Sequence, residues 1–91
     1  MKKKDIIRIL KEIIAKNNIK KAYLFGSFTR KQKKYNDIDI AIEAPEGFTL
    51  LDLSRVANRM EERTNTQVDL VTLRAMNPKL KKVIKKEMVA I

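Results

Sequence analysis

The chain predicts an α+β fold, a small mixed β-sheet with helices packed on one face, built as a single domain over residues 1–91. Two hydrophobic periods predict it. Apolar residues recur at helical spacing in three segments, and two other segments alternate between apolar and polar residues. Turn residues separate the segments, and neither a linker nor an internal repeat interrupts them.

Residues 3–17 set Ile6, Ile7, Ile9, Leu10, Ile13 and Ile14 at helical spacing among charged residues, an amphipathic helix that ends near Asn17-Asn18. Residues 20–25 (KKAYLF) form a short apolar strand, and Gly26 breaks it. Residues 27–32 open a short helix, and Lys33 to Asn36 complete the link. Residues 37–43 (DIDIAIE) alternate, the mark of a strand with two different faces. Pro45-Glu46-Gly47 is a turn, and Thr49 caps the next helix with Asp52 three residues on. That helix buries Leu50, Leu53, Val56, Ala57 and Met60 on one stripe. Residues 67–73 (QVDLVTL) make a third strand around Asp69. Asn77-Pro78 starts a last helix, with Leu80, Val83 and Ile84 facing inward, and residues 88–91 add a short strand.

Composition narrows the chemistry. There is no cysteine and no histidine, so disulfides, thiolate metal sites and an imidazole base are all excluded. Any catalysis must use carboxylates, hydroxyls, lysine or arginine. No apolar run is long enough to span a membrane, and the basic N-terminus lacks the apolar core of a signal peptide, which predicts a cytoplasmic protein. The net charge of +10 sits in the end segments: residues 1–21 hold eight basic and two acidic side chains, and residues 79–91 hold five and one. Such a surface attracts nucleotides, nucleic acid or an acidic partner. The five aromatic residues form no RNA-binding signature, which ranks nucleic acid last.

The chemistry lies in LFGSFTRKQKKYNDIDIAI, residues 24–42. Asp37 and Asp39 are two residues apart on a strand, so their side chains point the same way, about 7 Å apart at the backbone. Like charges at that spacing raise each other's pKa unless a cation intervenes. If the strand carrying Asp69 is adjacent, three carboxylates meet on one patch. Hard oxygen donors of this kind suit Mg²⁺, with Mn²⁺ as the alternative. Two such ions suit an in-line phosphoryl or nucleotidyl transfer. Gly26 lets the backbone approach a ligand closely, and Ser27 would open a helix whose free N–H groups favour phosphate. Arg30, Lys31, Lys33 and Lys34 follow and could neutralise a triphosphate.

Each piece alone has an ordinary structural explanation; the combination is specific. GSFTRKQKKYNDIDIAI followed by VDLVT resembles the minimal nucleotidyltransferases of the DNA polymerase β-like superfamily, over almost the whole chain from Tyr23 to Met88. The resemblance implies the polymerase β-like fold, a triphosphate held at Gly26 and Ser27 with Arg30 beside it, and two Mg²⁺ ions on Asp37, Asp39 and Asp69. It also implies a role for Asp69 in deprotonating the attacking hydroxyl, and a HEPN-domain partner. There the expected activity is AMP transfer from ATP to a tyrosine of a HEPN toxin, the chain acting as antitoxin of a prokaryotic toxin–antitoxin pair. Two departures fall in the loop: one residue fewer than is usual between Ser27 and Asp37, and Lys31 where the family commonly has glycine. The alternative is a degenerate member that neutralises its partner by docking alone.

Overall fold

The computed structural model describes residues 1–29 and 37–91. In chain order it contains helix α1 (Lys3–Lys16), strand β1 (Lys21–Phe25), a 3₁₀ turn (Gly26–Thr29), strand β2 (Ile38–Glu43), helix α2 (Leu50–Thr64), strand β3 (Val68–Thr72), helix α3 (Pro78–Lys85) and strand β4 (Val89–Ala90). The strands form one sheet in the order β3-β2-β1-β4. β1 lies antiparallel to β2 and β4, and β2 lies parallel to β3. The mixed sheet expected from the sequence is therefore present.

The isoleucine face of β2 makes the core. Ile38, Ile40 and Ile42 are fully buried, and Leu24, Val68 and Leu70 flank them. α1 closes this face with Ile6, Ile9, Leu10, Ile13 and Ile14, and α2 adds Val56 and Met60. Arg63 of α2 donates to the Glu12 carboxylate of α1 at 2.9 Å, which ties the two helices across the surface.

Local chemistry fixes the element ends. Asn18 turns the chain into β1 with φ +58°, a left-handed conformation that asparagine tolerates. Thr49 and Asp52 form a reciprocal capping box at the start of α2. Asn65, at φ +53°, ends that helix. The buried Thr64 hydroxyl donates to the Met60 carbonyl at 2.7 Å, so it is satisfied.

Two details set the register between β2 and β3. The Val68 N–H donates to Glu61 Oε1 at 2.9 Å, and the Ile38 N–H donates to the Gln67 carbonyl at 2.9 Å. Ile38 then faces Val68, Asp39 faces Asp69, and Ile40 faces Leu70. A slip of one residue would turn Asp69 into the core, so burial of Val68 and Leu70 enforces this pairing.

Two apolar stripes extend further in the sequence than in the fold. Leu50 was expected inside and is 82% exposed. It stands in the first turn of α2, whereas the buried side chains of that helix are Val56, Met60 and Thr64, about two to four turns further on. Leu80 and Val83 of α3 are also exposed, and only Ile84 of that helix is buried. Two helical turns seat one side chain.

Candidate active site

The candidate residues meet at one end of the sheet, where β1 finishes and β2 and β3 begin. β2 is a central strand, so Asp39 has a neighbour on each side: Phe25 of β1 and Asp69 of β3. Paired residues share a face, and the Asp39 and Asp69 backbones are therefore about 5 Å apart, the usual interstrand spacing. Asp37, just before β2, has the same parity as Asp39. Three carboxylates thus share the face turned away from Ile38 and Ile40.

Asp39 responds to this placement. Its pKa is raised above the ordinary aspartate value, first by partial burial and then by the negative charges of Asp69 and Asp37. Asp39 is half-buried and Asp69 is exposed. Among the described residues, no three acidic side chains close into a ready cage for an ion in the conformations they adopt. The donor chemistry nevertheless fits a hard divalent cation. All three groups are carboxylates, and a bound cation would offset the burial and the negative charges that raise the Asp39 pKa.

Gly26 completes the geometry. It has φ +74°, which alone favours glycine. A Cβ placed there would collide with the Asp39 carboxylate. The absence of a side chain at Gly26 is what brings the turn against Asp39.

The segment expected to open a helix at Ser27 is a single 3₁₀ turn over Gly26–Thr29, closed by the Thr29 hydroxyl donating to the Gly26 carbonyl at 2.8 Å. One turn has little macrodipole, so attraction for phosphate rests on backbone N–H groups and the Ser27 hydroxyl. The turn is anchored below by Phe28, which is buried in the core. Arg30, Lys31, Lys33 and Lys34, with the expected helix beyond Thr29, lie outside the described residues.

Sequence reasoning missed one contributor. Lys3 donates from Nζ to the Phe28 carbonyl at 3.0 Å, and its ammonium sits 5.3 Å from the centre of the Phe28 ring. No local signal marks this residue, which reads as one solvated lysine among many.

Comparison with known proteins gives this geometry a family. The family model described as "Polymerase beta, Nucleotidyltransferase" matches residues 7–91. The chain belongs to that nucleotidyltransferase family. A Methanocaldococcus jannaschii protein named as a candidate protein adenylyltransferase is 40% identical over 88 residues, which is 96% of this chain and 95% of that protein. A solved structure described as a candidate minimal nucleotidyltransferase superposes with a TM-score of 0.85 at 24% identity, covering 100% of this chain and 97% of the other. At that identity it supports the fold alone. A third similarity is to a chain in the complex of tri-AMPylated Shewanella oneidensis HEPN toxin with MNT antitoxin. It has 28% identity and a TM-score of 0.67, and covers 97% of this chain and 66% of that one. The minimal nucleotidyltransferase resemblance therefore holds, and the chain is a nucleotidyltransferase built on the expected fold. Among the described residues, no helix is long and apolar enough to cross a membrane.

Proposed function

We propose that this protein is a Mg²⁺-dependent protein adenylyltransferase, which moves AMP from ATP to a tyrosine hydroxyl of a HEPN-domain toxin and thereby acts as its antitoxin in the cytoplasm. The pairing of Asp39 with Asp69, beside a glycine whose bare backbone lies against the Asp39 carboxylate, is the observation that carries this reading. The names of the Methanocaldococcus relative and of the Shewanella complex support the choice of AMP and of a HEPN partner.

In this reading Gly26 and Ser27 hold the triphosphate, with Arg30 beside them. Asp37, Asp39 and Asp69 would hold the divalent ions, Mg²⁺ or in its place Mn²⁺. The ions, when bound, offset the charge that builds on the phosphate oxygens. The acceptor oxygen attacks the α-phosphorus, a new O–P bond forms, and the bond to the β-phosphate oxygen breaks. Pyrophosphate leaves with that electron pair. Asp69, the most exposed carboxylate of the three, takes the hydroxyl proton. The protein's own contribution is positioning and charge.

The test is label transfer. The protein is incubated with Mg²⁺, α-labelled ATP and the product of the adjacent gene, beside an Asp39→Asn control. Label on a partner tyrosine that disappears in the control is the expected result. A stable complex that neutralises the partner without label would instead establish docking alone.

A further inference from the structure

We propose that Lys3 is a positioning residue for the nucleotide: it clamps the Gly26–Thr29 turn from the start of α1, so that the Ser27 backbone and hydroxyl meet the phosphates in a fixed orientation. This rests on the reading of that turn as the triphosphate site. The turn needs such support. It is a single 3₁₀ turn of four residues, held from within by the Thr29 bond to Gly26.

Among the described residues, the core and Lys3 both anchor the residue after Ser27. Its ring is sunk in the core, 3% exposed, and its carbonyl accepts from Lys3 Nζ at 3.0 Å. The donor is 25 residues away in sequence and belongs to a helix whose other face is fixed by five buried side chains. The bond is charge-assisted, which places it among the stronger kinds. The same ammonium lies 5.3 Å from the ring centre, within reach of the ring's negative face. Lys3 thus holds both the backbone and the side chain of Phe28 while leaving the Ser27 hydroxyl to a ligand. Without the clamp the turn keeps its core anchor but gains freedom to rotate about it, and ATP must then order what was ordered beforehand.

The experiment uses the full chain and two readouts. Calorimetric titration with ATP and Mg²⁺ gives the Kd, and amide hydrogen exchange without ATP follows residues Gly26 to Thr29. Lys3→Met keeps the length of the side chain and removes both interactions. It is expected to weaken ATP binding about tenfold, the scale of one hydrogen bond to a charged group, and to speed exchange across the turn. Lys3→Arg keeps the donor and the cation and should restore both. Lys4→Met removes the same charge one residue on, from an exposed position, and should change neither. Unchanged binding in Lys3→Met overturns the proposal, whether or not exchange speeds up. Equal weakening in Lys4→Met also overturns it, because bulk charge then explains the effect. If the wild-type protein itself binds no ATP, the reading of the turn fails and takes this proposal with it. That case is recognised by the silent wild type.

Discussion

The two faces of β2 obey opposite rules. On one, Ile38, Ile40 and Ile42 are sealed under α1 and α2 in a single hydrophobic cluster. On the other, residues of the same strand set Asp39 against Asp69 and Asp37, and the group between them is held away from its ordinary ionisation. The first face gains stability from each contact. The second gives some of it up, because like charges are brought together and Asp39 among them is half-buried, where solvent screens it less. A strand with a period of two can do both at once, and the core face supplies the stability that holds the charged face in place.

Asp39→Asn should break this contrast most sharply. The amide keeps the shape and removes the charge. Transfer activity is expected to fall on the order of a thousandfold, from the loss of a few kcal/mol of transition-state charge stabilisation. The melting temperature is expected to rise, because the repulsion is gone. A loss of both activity and stability would mean that Asp39 is a structural group. Ile40→Ala is the opposite experiment, on the opposite face. Ile40 is fully buried, and its truncation should cost about 2–5 kcal/mol in a urea melt. Activity per folded molecule should survive. If it does not, the core and the site are mechanically coupled.

Gly26→Ala tests the contact between the turn and the site. The substitution forces a side chain into a left-handed conformation, at a cost of about 1–2 kcal/mol, and drives its Cβ into the Asp39 carboxylate. A stability loss of that size with a larger loss of activity is expected. A variant with wild-type transfer would show that the close approach serves packing only.

The difference between the faces also explains what the sequence made legible. DIDIAIE announces a two-faced strand by itself, because alternation is local, and Asp37 and Asp39 could be named from it. Asp69 could be named as a strand residue, but its pairing with Asp39 depends on a register set elsewhere, by Glu61 and Gln67 holding the ends of β2 and β3. Period reports which side of a helix is apolar and is silent on whether anything lies beneath it. That is why Leu50, Leu80 and Val83 were assigned inward and stand in solvent. Lys3 was invisible for a different reason. In a chain with 21 basic residues, nothing local distinguishes the one that reaches back to Phe28.

The smallest expected effect is the most direct reading of the charged face. Raising the folded pKa of Asp39 means that the folded protein binds this proton more tightly than the unfolded chain does. Its contribution therefore favours folding at low pH, and declines as pH rises from the ordinary aspartate value of 3.8 through the raised one. Glu12 and Asp52 act in the other direction. Arg63 holds the Glu12 pKa down, and the Thr49 backbone and hydroxyl do the same for Asp52, so their contributions are lost as pH falls. A pH profile of the wild type alone mixes the three. Subtracting the profile of Asp39→Asn cancels Glu12 and Asp52 and isolates the site. The difference should favour the variant more strongly as pH rises above 3.8 and level off above the folded pKa of Asp39. Repeating both profiles with Mg²⁺ should shrink the difference, because a cation on the carboxylates offsets both the burial of the Asp39 charge and the repulsion from Asp69 and Asp37 that together raise its pKa. A difference flat across the acid range, or one indifferent to Mg²⁺, would mean that the three carboxylates do not act as a charge cluster, despite the pairing of Asp39 with Asp69.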